Sequence, residues 1–298
     1  MKYKYMICMC LVSIFMLQAC LTKEIPPEQL EEKTESASSE LPTQTSDTTK
    51  PTLPVEPEKQ TVPLSERINE NDLKAYFEEY DHATMLLTDG NSSVAYNEDF
   101  SEEPHPPFST FKIPNSLIAL EEGVVSIEDS LRKWDGVEYN RQELNQDQDM
   151  ASAMKHSCLW YYKQLANDIG NEAMQSHINN IQYGNMDLTG GIDTFWLGTS
   201  LLISPAQQLD FIMKLYHNEL PFQQENMDYV KSILKQDAYP FDLYGKTGSS
   251  GDGMGWFVGY ALLEEKPIFF AAYMEGESAS GLIARDVTAQ MFEDLFID

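Results

Sequence analysis

The chain has 298 residues, 42% hydrophobic and 11% aromatic, enough for one large globular body or two small ones. Its 48 acidic residues outnumber 20 basic ones, a formal charge of -28 that makes nucleic acid a poor partner, because phosphate binding draws on clustered Lys and Arg. Five widely spaced histidines, with no H-x-H or H-E-x-x-H spacing, argue against a zinc hydrolase, and no metal is expected.

Residues 1–19 read as an address. Lys2 and Lys4 form a positive n-region, Met6 to Met16 an apolar stretch too short to span a bilayer, and Leu17-Gln18-Ala19-Cys20 a lipobox. This resembles a bacterial lipoprotein signal, which implies cleavage before Cys20, lipidation of its sulfur and a membrane-anchored protein in the cell envelope, outside the cytoplasm. Loss of Cys8 and Cys10 with the signal would leave Cys20 and Cys158, so no disulfide framework is expected. Residues 20–65 hold seven prolines among Glu, Ser, Thr and Gln and no aromatic residue, the composition of a disordered tether. The globular domain is expected over residues 66–298.

Within it, Asn71 is expected to cap a first helix with Leu73, Tyr76, Phe77 and Tyr80 on one face. Two β-like runs, Ala83 to Thr88 and Ser92 to Tyr96, flank the turn Asp89-Gly90-Asn91. The middle, about 105 to 240, is mostly helical in pattern. Cys158, Tyr162, Leu165, Ala166 and Ile169 recur at helical spacing, and Ser204-Pro205 opens a helix with Gln207 completing a capping box. Strand patterns return at Gly255 to Leu263 and Ile268 to Met274, before a last amphipathic helix from about Leu282 to Phe296. The expected fold is α/β: a sheet formed from N- and C-terminal segments, flanked by helices, with an inserted all-helical subdomain and a cleft where the two meet.

Two motifs carry chemistry. Ser109 and Lys112 stand three apart at a helix start, so a Lys that is not a bare cation can take the Ser proton. Phe108, Phe111, Ile113, Leu117 and Ile118 make the surroundings apolar, which should depress the Lys112 pKa, and Pro114 should kink the chain near the site because it leaves the Thr110 carbonyl without a donor. Far downstream, Lys246-Thr247-Gly248 offers a cation and a hydroxyl to a substrate carboxylate, with Gly248 expected to let the substrate lie close to the backbone. S-x-x-K followed by K-T-G is the pairing of serine β-lactamases and penicillin-binding proteins.

Ser109 to Asn115, Lys133 to Gly136, Ser157-Cys158-Leu159, Tyr183-Gly184-Asn185, Gly190 to Leu197 and Ile203 to Pro205 separate the classes: together, and in this order, they resemble the class D serine β-lactamases. The triplet Glu143-Leu144-Asn145 looks like a class A element but stands ahead of Ser157, the wrong order, and is set aside. The resemblance implies that Ser109 is acylated and that Lys112 is carboxylated by carbon dioxide to N6-carboxylysine and acts as base, with no other cofactor. It implies further that Trp196 steadies the carbamate, Leu197 and Leu159 form apolar wall beside it, and Ser157 relays a proton to the leaving nitrogen. The backbone N–H groups of Ser109 and Ser249 would form the oxyanion hole, and Arg285 would pair with the substrate carboxylate. Leu159 is bulkier than the valine frequent there, which would narrow the water path, while Tyr183 and Asn185 are expected in the cleft floor. The implied activity is hydrolysis of penicillin-like β-lactams; the alternative is a penicillin-binding sensor that acylates without turnover.

Overall fold

The computed structural model describes residues 62–297. The expected signal, the lipidation site and most of the tether lie outside these residues. Ordered packing reaches back to a short helix α1 (Leu64–Arg67), where Leu64 is buried in the core and its N–H donates to Ser92 Oγ at 2.8 Å. Helix α2 (Glu70–Phe77) is capped by Asn69, not Asn71. The Asn69 side chain accepts from Asn71 N–H while Asp72 Oδ2 accepts from Asn69 N–H, a reciprocal box that moves the start two residues earlier. Leu73 and Phe77 are its buried positions, and Tyr80 lies beyond its end.

Strands β1 (His82–Thr88) and β2 (Ser93–Tyr96) form a hairpin. A 3-10 turn, Phe108–Phe111, then leads into α3 (Lys112–Glu121), whose residues Lys112 to Leu120 are all buried, as a helix surrounded by protein on every side must be. Pro114 falls in the first turn of α3, where a missing N–H is tolerated, so the interruption it was expected to cause takes the form of a 3-10 to α transition. The helical insert continues with α4 (Met150–Lys155), α5 (Leu159–Ile169), α6 (Asn171–Asn180), α7 (Pro205–Tyr216) and α8 (Gln224–Ser232). Ser204 and Gln207 form the expected capping box on α7.

The chain returns to the sheet with β3 (Asp242–Ser249), β4 (Met254–Leu263) and β5 (Lys266–Glu275), and ends in α9 (Gly281–Phe296). The sheet is antiparallel in the order β2-β1-β5-β4-β3, so the N-terminal hairpin pairs with the last strand, His82 opposite Glu275. Alternation along the strands divides two cores. Phe257, Ala261, Phe270 and Ala272 join Leu73, Phe77 and Phe292 on one face, while Trp256, Val258, Tyr260 and Phe269 join the helical insert on the other. Burial on both faces explains why β4 and β5 read as nearly continuous apolar runs.

Candidate active site

Ser109 lies in the 3-10 turn and Lys112 begins α3, which brings Lys112 Nζ within 2.7 Å of Ser109 Oγ. Phe108, just before the nucleophile, is held at φ 47° with its N–H bonded to the Trp196 carbonyl at 3.0 Å. A positive φ at a bulky residue is strained backbone, here maintained by its buried surroundings.

Lys112 is 1% exposed, with Nζ 5.4 Å from the centroid of the Tyr162 ring. Burial pushes its pKa down to about 7, so much of the amine is neutral near neutral pH and can accept the Ser109 proton. Trp196 is fully buried and stacked on Phe111 with ring centroids 5.3 Å apart, yet its Nε1 has no hydrogen-bond partner. Such an orphaned donor fits an acceptor absent from the polypeptide.

From the other side, Lys246 Nζ on β3 donates to Ser157 Oγ at 3.1 Å and to Thr247 Oγ1 at 3.3 Å. Ser157 occupies φ 51°, a second strained residue at the site, between α4 and α5. Burial, and after it the charges of Lys112, Arg141 and Arg285, hold the Lys246 pKa well below the ordinary lysine value. A cleft of about 690 Å³ opens beside this pair, and Arg285, Leu282, Arg141, Glu143 and His156 are among the residues lining it with Ser157, Lys246 and Thr247. Ser109 and Lys112 are not themselves among these lining residues; the link is Lys246, whose pKa the Lys112 charge lowers, and Gly248 of β3, which lies against Pro107 and Thr110 of the nucleophile's turn.

The junction depends on Gly248. A Cβ there would come within 2.8 Å of the Pro107 carbonyl oxygen and 3.2 Å of the Thr110 methyl, so the missing side chain lets β3 press against the Ser109 turn. Ser249 Oγ accepts from Gly281 N–H at 2.7 Å, tying the end of β3 to the start of α9.

Tyr183 and Asn185 brace the segments around the site. The Tyr183 hydroxyl, buried, donates to Gln208 Oε1 at 3.3 Å. Asn185 Oδ1 accepts from Leu202 N–H at 3.0 Å and its Nδ2 donates to the Ser200 carbonyl at 2.9 Å, pinning the segment that follows Trp196. Leu197 is partly buried against the helical core, whereas Leu159, in the first turn of α5, is 36% exposed. Arg285 lines the cleft while Nε and Nη2 both donate to Asp286 Oδ1, at 2.9 and 2.8 Å. Arg141, His156 and Leu282 are cleft residues that sequence reasoning missed. Glu143 lines the cleft as well, although the order of its triplet in the chain excludes the class A role.

The Ser109–Lys112 pair with its buried lysine, the K-T-G strand beside it and the sheet capped by a helical insert define a penicillin-binding transpeptidase type of domain, and the penicillin binding protein transpeptidase family matches residues 62–293. The chain is 38% identical over 215 residues to probable beta-lactamase YbxI of Bacillus subtilis, covering 70% of this chain and 79% of that protein. It is 37% identical to the structure of class D beta-lactamase BAT-2, with a TM-score of 0.72 and coverage of 76% and 96%. To the C-terminal domain of the Bacillus licheniformis BlaR penicillin-receptor it is 34% identical, with a TM-score of 0.71 and coverage of 77% and 96%. The chain belongs to the class D β-lactamase family.

Proposed function

We propose that the protein is a serine β-lactamase that opens the amide of penicillin-like rings through an acyl-enzyme on Ser109. The observation that carries this reading is the buried Lys112 amine 2.7 Å from Ser109 Oγ, its pKa brought down to about 7. Lys112 takes the hydroxyl proton as Ser109 Oγ bonds to the lactam carbonyl carbon, and the N–H groups of Ser109 and Ser249 receive the developing oxyanion. Ser157, held by Lys246, relays the proton that Lys112 took to the nitrogen as the C–N bond breaks and is itself left as the hydroxyl, while Thr247 and Arg285 take the ring carboxylate. Carboxylation of Lys112 by carbon dioxide would supply an anionic base able to activate water against the ester, and the unpartnered Trp196 Nε1 supports that reading.

Steady-state nitrocefin turnover with and without bicarbonate tests the proposal. Turnover that bicarbonate raises, together with loss of penicillin labelling in Ser109→Ala, is the expected result. An acyl-enzyme that persists for hours at saturating bicarbonate, followed by mass spectrometry, would instead favour a penicillin receptor. The likeness to the BlaR receptor domain makes that second reading specific.

We also propose that residues 1–19 are a lipoprotein signal, that Cys20 is lipidated, and that a tether ending at about residue 65, where the short helix α1 (Leu64–Arg67) joins the core, holds the catalytic domain at an envelope membrane. The support is the lipobox and the tether's composition. Cys20→Ala should move β-lactamase activity from the membrane fraction to the soluble one.

A further inference from the structure

We propose that Arg141 is a second anion-reading residue of the cleft, which selects β-lactams carrying a carboxylate on the acyl side chain besides the one on the ring. The inference rests on the β-lactam reading above and adds the substrate class.

The protein has a formal charge of -28, yet the cleft wall holds Arg141, Lys155, Lys235, Lys246 and Arg285 against two carboxylates, Glu143 and Asp237. Five basic side chains gathered at one cleft of an acidic protein, four of them paired with a carboxylate, make that wall the least acidic approach for an anionic ligand. Lys155 is paired with Asp237 at 3.3 Å and Lys235 with Asp242 at 2.9 Å. The two arginines are arranged alike. Arg141 Nε and Nη2 both engage Glu143 Oε1 at 2.8 Å, as Arg285 Nε and Nη2 both engage Asp286 Oδ1. In each, a neighbouring acid fixes one edge of the guanidinium; Arg285 is further held against Tyr239, whereas Arg141 Nη1 has no acceptor among the described residues. A guanidinium oriented in this way presents a fork to an incoming carboxylate.

The two come from different walls, Arg285 from α9 and Arg141 from the segment before α4. A penicillin has one ring carboxylate, which Thr247 and Arg285 take. A monoanionic substrate therefore leaves Arg141 unmatched, and the other part of the molecule that can bear a carboxylate is its acyl substituent. Arg141 is half exposed, which sets the size of the effect: a rim contact changes rates by single-digit factors.

The test compares benzylpenicillin with its α-carboxy analogue, which differ by one carboxylate, in the native protein, Arg141→Gln, Arg141→Lys and Arg285→Gln. The quantity read is the ratio of kcat/KM for the dianion to that for the monoanion, so that any change common to both cancels. Arg141→Gln should lower the ratio about three- to fivefold, Arg141→Lys by less because the charge stays and the fork is lost, and high salt should compress the difference. Arg285→Gln should slow both substrates. A ratio unchanged within twofold in Arg141→Gln, or in Arg141→Lys and at high salt should the former not fold, overturns the proposal. If the native protein turned over neither penicillin, the hydrolase reading would fail, and the ratio of acylation rates would still test Arg141.

Discussion

Gln208 Nε2 donates to Thr110 Oγ1 at 2.8 Å, joining α7 to the turn that carries the nucleophile. Thr110 passes the restraint on by donating to the Pro107 carbonyl at 2.7 Å, and Tyr183 holds the far end of the amide. All three side chains are buried, so Gln208→Leu leaves the Tyr183 hydroxyl without an acceptor, at a cost of about 1 to 3 kcal/mol. A lower midpoint in thermal unfolding and slower acylation by penicillin are both expected. Unchanged acylation with a lowered midpoint would confine Gln208 to stability.

Gly248→Ala should slow acylation at least tenfold while the circular dichroism spectrum is kept. The added methyl meets the Pro107 carbonyl oxygen, a backbone atom that cannot swing aside, so β3 or the Ser109 turn has to move. Positioning errors of this size are costly in rate even where the fold survives. Stopped-flow labelling with a fluorescent penicillin reads the effect.

Lys112 couples stability to pH with a definite sign. Its pKa is about 7 folded and 10.5 for an unburied lysine, so between these values the unfolded chain binds more protons and stability rises with pH. Lys112→Met should therefore be inactive yet more stable by a few kcal/mol at pH 6 in degassed buffer, with the advantage shrinking toward pH 10. Thermal midpoints of both proteins across that range decide it; a gap independent of pH would contradict the burial argument. Activity of the native protein should fall as pH drops through about 7, where the amine takes up its proton.

Trp196→Phe keeps an aromatic ring against Phe111 and removes the unpartnered Nε1 donor. If that donor serves a carboxylated Lys112, the bicarbonate concentration for half-maximal activity should rise by a factor of roughly ten to a hundred, the loss of one hydrogen bond to a charged group being about 1.5 to 3 kcal/mol. Titration of activity with bicarbonate in degassed buffer measures it. No change in the midpoint would give the indole a packing role alone.

The parts of the protein legible in its sequence were those whose signal is local. The Ser109–Lys112 spacing gave a hydrogen-bonded pair, the apolar runs after Gly255 gave two strands, and Ser204 with Gln207 gave a capped helix. Strand β3 was less evident because Gly245, Gly248 and polar side chains dilute its β pattern, and it is held by pairing with β4. The packing role of Gly248 was not legible, since the atoms it accommodates, at Pro107 and Thr110, are remote in sequence. Two asparagines within reach of one helix start, Asn69 and Asn71, were resolved only by Asp72, which completes the box for the first. Arg141 carried no motif; only the fold brings it into the cleft with Arg285.

The pairing of β1 with β5 also sets the order in which this chain can become a protein. Until β5 is made, β1 has its small partner β2 on one edge and nothing on the other, with Met85 and Leu87 lacking the Phe270 and Ala272 surface that covers them in the finished core. A ribosome-bound intermediate therefore cannot finish its sheet, and contacts so distant in sequence form slowly even after release. If residues 1–19 direct export as proposed, this delay keeps the polypeptide threadable, since it cannot lock into its final shape before its own last strand is free.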